Sequence, residues 1–182
     1  MKMNYTKRLV FTAVCAALCV VLPMAFHAVQ NAGQVFLPMH IPVLLCGLAC
    51  GWPFGLVGGI LGPVLSSLLT GMPPAAMLPS MAIECAVYGG ASGLLMQLVR
   101  TKKTYLDLYI SMTAAMILGR VIAGLAKSLI LSPGTAPFAW VTTSLVSGVP
   151  GIIIQLILIP TLVYTMMRAK LLPQRYEKEE TK

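Results

Sequence analysis

The chain has 182 residues, 58% of them hydrophobic and only 10% charged, with a formal net charge of +8. A soluble domain carries about 25% charged residues, so a water-soluble globular protein is excluded and an integral membrane protein is indicated. The positive charge does not point to nucleic acid: 11 of the 13 Lys and Arg residues fall in three short clusters beside apolar segments, the pattern of cytoplasmic span ends.

In chain order, span 1 is expected at about 8–26, preceded by Lys7 and Arg8. Its apolar run, Leu9–Phe26, has 18 residues, beyond the usual ~7–15 of a signal peptide, and no good A-x-A site follows. It is therefore expected to be retained. His27–Leu37 is polar but uncharged and is expected outside. Span 2, about 38–51, opens on Pro38, a favoured first helical residue, and Gly51-Trp52-Pro53 predicts a tight turn into span 3, about 54–70. Gly71–Pro79 forms a proline-rich outer loop before span 4, about 80–99, which ends in Arg100-Thr101-Lys102-Lys103. Span 5 is Leu106–Leu131; Ser132–Trp140 is a third outer loop; span 6, about 141–167, leads into a basic tail. The expectation is an all-α, single-domain bundle of six transmembrane helices over residues 1–182, with both termini cytoplasmic. The three outer loops contain no Lys, Arg, Asp or Glu, an asymmetry that was not used to place the spans and that supports them.

Small residues recur at helical spacing. Gly51, Gly55 and Gly59, Gly58 and Gly62, and Ala82, Ala86 and Gly90 predict closely packed helices in lipid, where hydrophobicity cannot drive association. Span 1 carries Ala13, Ala16 and Ala17, read as one face with few polar groups.

Span 5 carries two cations inside its apolar run. Arg120 and Lys127 are seven residues apart and so share a helix face. A buried cation in a bilayer is costly unless it faces protein, water or a counter-charge. By a rise of about 1.5 Å per residue, Glu84 lies ~7 Å and Lys127 ~6 Å from the outer surface, so the two could pair, while Arg120 and Gln155 lie ~17–21 Å deep. That pairing would leave Arg120 unmatched. The residues expected to face a substrate are Arg120, Lys127, Glu84 and Gln155 in the spans, with Asn31, Gln34 and His40 at the outer mouth. Buried cations outnumber anions, so the expected ligand carries a carboxylate, phosphate or comparable electron-rich group bound by Arg120. The competing reading is a neutral ligand, with Arg120 satisfied by backbone carbonyls or water.

Other chemistry finds little footing. The cysteine pairs Cys15/Cys19 and Cys46/Cys50 have metal-ligand spacing but no acidic residue or histidine nearby, and all five cysteines lie in apolar segments. No metal, cofactor or disulfide is expected. Gly90-Ala91-Ser92-Gly93 matches the GxSG of rhomboid proteases, but the only histidines, His27 and His40, precede Ser92 and lie on the outer side. No P-loop is present. A rhomboid-like intramembrane protease is thus disfavoured, and no enzyme is expected. A small secondary transporter, acting alone or as a dimer, is the nearer alternative.

The chain resembles the substrate-binding S components of energy-coupling factor (ECF) transporters. The likeness rests on six short spans, basic cytoplasmic ends, Ala13-x-x-x-Ala17, and the glycine-proline pattern of LPMHIPVLLCGLACGWPFGLVGGILGPVLSSLLTG. It implies a subunit of the cell membrane that captures a vitamin-like micronutrient in a pocket near the outer surface, covered by the loops after helices 1 and 3. It further implies docking through Ala13 and Ala17 onto a T component, with two separate ATPases supplying energy. The family's metal-binding members begin with a Met-His element, whereas this chain begins MKMNYT, so metal uptake is not implied.

Overall fold

A computed structural model describes residues 3–25, 32–131, 137–174 and 176, and among these it is helical with no strand. The elements are α1 (Tyr5–Ala25), α2 (Ala32–Phe36), α3 (His40–Cys50), α4 (Trp52–Thr70), α5 (Leu78–Leu98), α6 (Thr104–Ala126), a π-helical turn (Lys127–Leu131), α7 (Pro137–Ser147) and α8 (Val149–Arg168). Among the described residues, four helices are long and apolar enough to cross a membrane: Tyr5–Ala25, Trp52–Thr70, Thr104–Leu129 and Val149–Arg168. Helix α5 is equally long but mixes Glu84, Ser80, Ser92 and several glycines into its apolar run. Helix α3 has 11 residues, about 16 Å of helix, roughly half a hydrocarbon core.

Three departures from the expected elements bear on the site. The stretch after α1 is not all loop, because Ala32–Phe36 is the short helix α2. Span 6 is two helices, α7 and α8, meeting at Gly148. Pro150 lies in the first turn of α8 and has no N–H to continue the ladder from α7. The end of span 5 is widened into the π turn that begins at Lys127.

Helices α4, α5, α3 and α6 form the centre of the bundle, with α1 against α3 and α4 and α8 against α3 and α6. Gly51 makes the α3–α4 turn at φ +92°, a conformation that favours glycine. Two glycine faces of α4 serve different neighbours. Gly55 and Gly59 lie against the backbone of Gly89 and Cys85 on α5, whereas Gly58 and Gly62 lie against Thr12 and Cys19 of α1. On α5 the close-approach ridge is therefore Cys85, Gly89 and Gly93, and not Ala82, Ala86 and Gly90; a Cβ at Gly90 would meet only Leu56 at ordinary contact distance.

The cysteines pack as small apolar groups. Cys15, Cys46 and Cys50 form one cluster with Met3, Phe11, Ala49 and Phe54, and Cys19 donates to the Met39 carbonyl at 3.6 Å. All five are buried and free. On α1 the alanines divide: Ala16 is buried with Thr12, Cys15 and Cys19, while Ala13 and Ala17 are exposed, so the three do not share one face.

One end of the bundle gathers the basic flanks. There Arg8, Gly51, Gln97, Met167 and Gln174 line a cavity of about 280 Å³. Close to the same chain segments, the fully buried Asp107 accepts from the Thr101 N–H at 2.8 Å, the Thr101 hydroxyl at 2.7 Å and the Tyr176 hydroxyl at 2.6 Å.

Candidate functional site

The buried polar side chains of α3, α5 and α6 meet around one carboxylate, Glu84. Tyr88, one turn further along α5, donates its hydroxyl to Glu84 Oε1 at 2.8 Å. Arg120 of α6 places Nε 3.9 Å from the same oxygen, and His40, the first residue of α3, places Nε2 3.8 Å from it. The imidazole also packs on the Tyr88 ring, with centroids 5.0 Å apart. None of the four is more than 7% exposed. Buried charges survive only when paired and hydrogen-bonded, and here the Arg120 guanidinium faces the carboxylate.

The register of this meeting is set by Gly119. The Tyr88 ring lies directly over Gly119, where any Cβ would collide with ring carbons Cδ1 and Cε1. That contact fixes α5 against α6 and brings Glu84 level with Arg120. The expected Glu84–Lys127 pair is not formed: Lys127 stands 5.3 Å from the centroid of the Trp140 ring, a cation–π contact. Counting inward from the two helix ends gives equal depth only if those ends are level. Glu84 instead meets Arg120, and Lys127 stands seven residues, about two turns, further along α6. Arg120 is accordingly not the unmatched cation.

Helices α7 and α8 close the other side of Arg120. Its Nη1 donates to the Ser144 carbonyl of α7 at 2.6 Å, and its Nη2 lies against Gly148, where an added Cβ would be 3.0 Å from it. Gly148, Gly151 and Gln155 follow at helical spacing and present one face of α8. Onto that face the chain around α2 is laid. A Cβ at Gly151 would meet the Phe36 carbonyl group, and one at Gly148 would meet Leu37 Cδ1 at 3.0 Å. Gln155, fully buried, donates Nε2 to the Leu37 carbonyl at 3.3 Å; the same carbonyl accepts from the His40 backbone N–H at 3.1 Å. Leu37 itself sits at φ +50°, unusual for a residue with a Cβ.

Among the described residues, several buried atoms in this cluster have no hydrogen-bond partner: Arg120 Nε and Nη2, both His40 ring nitrogens, and Gln155 Oε1. Native proteins leave few such groups, and each one costs free energy unless something meets it.

The structure thus brings together Glu84, Arg120, Gln155 and His40. His40 is an interior residue rather than one at the mouth, because α3 is short and begins deep within the bundle. Lys127 stands apart. Asn31 and the side chain of Gln34 lie outside the described residues, although the Gln34 backbone falls in α2. Three participants were missed. Tyr88 could have been found, since it follows Glu84 by four residues on one helix. The Ser144 carbonyl and the Gly119 seat carry no side-chain signal. Ser92 donates to the Gly89 carbonyl at 3.2 Å beside Gly47, as a packing residue of the helix contact.

A buried ionisable cluster within apolar helices marks a substrate path in membrane proteins more often than a structural lock. Comparison with curated proteins gives no match. The family model described as ECF transporter, substrate-specific component, matches residues 7–163, which takes in every helix that builds the cluster except the last turn of α8. The chain therefore belongs to the family of substrate-specific components of ECF transporters.

Proposed function

We propose that this subunit holds its small-molecule substrate at the Glu84–Arg120–His40–Gln155 cluster and delivers it across the cell membrane together with a T component and two ATPases. The observation that carries the reading is the set of partnerless buried groups, Arg120 Nη2, the His40 nitrogens and Gln155 Oε1, gathered where α3, α5, α6, α7 and α8 converge. The face of α8 that carries Gln155 is covered by Phe36 and Leu37, so that segment would have to shift for a ligand to enter from outside.

The proposed topology is one domain of six crossings, in which α2 and α3 together serve as the second and α7 and α8 as the sixth. Both termini lie inside, as the basic residues around Arg8, Arg100 and Arg168 require. The cluster then belongs to the outer half, away from the cavity at the basic end. Docking to the T component is assigned to Ala13 and Ala17, which are exposed among Leu9, Val10, Val14 and Val21. A smooth face of that kind allows close helix approach in lipid.

Uptake in vesicles tests the assembly. Accumulation should require co-expressed T component, paired ATPases and ATP. Accumulation by the isolated chain, driven by an ion gradient alone, would instead make it a secondary transporter.

A further inference from the structure

The charge count around Arg120 differs from the one the sequence suggested, and it bears on the kind of molecule the site takes. Lys127 is engaged by Trp140, and Glu84 faces Arg120. Counting histidine as neutral, the formal charges of the cluster cancel. An anionic group brought to Arg120 would be placed close to the Glu84 carboxylate in a region of low dielectric, where like charges repel strongly.

The donor and acceptor inventory points the same way. The Nε–Nη2 edge of the guanidinium, which would take a carboxylate or phosphate side-on, already faces the Glu84 carboxylate through Nε. Nη1 is used by the Ser144 carbonyl, and among the described residues neither Nε, 3.9 Å from Glu84, nor Nη2 has a hydrogen-bond partner. On the facing surface of α8, Gln155 uses its Nε2 on Leu37, and among the described residues its Oε1 is an acceptor without a donor. Leu37 joins the two: its carbonyl holds Gln155, and its side chain and Arg120 Nη2 lie at one spot beside Gly148. A carboxylate offers only lone pairs, so it would satisfy Nη2 and leave Oε1 unpaired. A ligand that carries both an acceptor and a donor satisfies both, and a site with fixed polar groups discriminates strongly against a molecule that leaves one unmet.

We propose that the substrate is uncharged and carries both a carbonyl or ring-nitrogen acceptor for Arg120 Nη2 and an N–H or O–H donor for Gln155 Oε1. Glu84 is the counter-ion that the protein itself supplies to Arg120. The inference rests on the reading of this cluster as the substrate site.

The probes are two fractions of a deproteinised cell extract. One is the flow-through of a mixed-bed ion exchanger, containing uncharged molecules; the other is the eluate of an anion exchanger. Purified protein is melted in the presence of each. The uncharged fraction should raise the melting temperature of the wild type by several degrees, the anionic fraction should leave it unchanged, and Arg120→Met and Gln155→Leu should lose the response. A shift produced by the anionic fraction alone overturns the uncharged ligand and leaves the substrate site standing. A shift by the uncharged fraction that persists in full in both variants overturns the site, as does a wild type that responds to neither fraction, and the present inference falls with it. Mass spectrometry of the compound retained from the active fraction then identifies it directly: a molecule that lacks either a donor or an acceptor contradicts the assignment.

Discussion

Glu84 Oε1 and Arg120 Nε face each other at 3.9 Å across α5 and α6, in a contact that the Tyr88 ring seated on Gly119 holds in register. The distance is longer than a hydrogen bond, and Arg120 makes its short bond elsewhere, to the Ser144 carbonyl. The pair is thus an electrostatic match, and among the described residues Arg120 Nε and Nη2 have no hydrogen-bond partner. Removing one partner leaves the other buried and uncompensated.

That asymmetry can be measured. Glu84→Gln or Arg120→Met alone should destabilise the protein by about 3–5 kcal/mol, and the double variant should lose clearly less than the sum of the two. A denaturation cycle in detergent measures the coupling. Strict additivity would mean that the carboxylate and the guanidinium do not support each other.

Tyr88→Phe removes the hydroxyl that Glu84 accepts at 2.8 Å while keeping the ring on Gly119. The expected cost is about 1.5–3 kcal/mol, the range for a hydrogen bond to a charged group. Gly119→Ala should be far worse, because its Cβ collides with that ring. Melting temperatures of the two variants decide the order, and a well-folded Gly119→Ala would contradict the register described for α5 and α6.

The α4–α5 contact makes a second contrast. Gly89→Ala places a methyl group against the Gly55 carbonyl, whereas Gly90→Ala meets only Leu56. Gly89→Ala should lower the yield of monodisperse protein sharply and Gly90→Ala should leave it near wild type, read by size-exclusion chromatography. Equal tolerance would put the wrong ridge of α5 at the interface.

On α1, Ala13→Trp or Ala17→Trp should abolish uptake by the assembled transporter while leaving substrate affinity within about twofold, because both positions face outward. Ala16→Trp should instead impair folding, since Ala16 is buried beside Cys15 and Cys19. Normal uptake by the Ala13 and Ala17 variants would remove the docking assignment.

Much of this architecture is legible in the residues themselves. Composition and the basic clusters mark a membrane protein, and the turn at Gly51 and the ends of α3, α4 and α5 lie close to where glycine and proline place them. The polar members Glu84, Arg120 and Gln155 stand out because ionisable and amide groups are rare in apolar helices. Which of them meet was not legible, because relative helix depth is set by tertiary contacts such as Tyr88 on Gly119 and not by distance from a helix end. The ridge of α5 was misread for a related reason: Ala82, Ala86 and Gly90 have the same spacing as Cys85, Gly89 and Gly93, and spacing alone does not say which row faces α4. Helix α2 and the break at Gly148 were hidden inside segments read as a loop and as one continuous span.

The central claim is that this ECF transporter subunit holds its substrate at the Arg120 cluster. The most direct measurement is the amount of small molecule that purified wild type and Arg120→Met each retain from a deproteinised cell extract, quantified by mass spectrometry on samples of equal elution volume. The account predicts that the variant retains about tenfold less or lower, the loss that goes with one hydrogen bond to a charged group. Equal retention by a folded Arg120→Met protein would contradict it and leave Arg120 with a structural role alone.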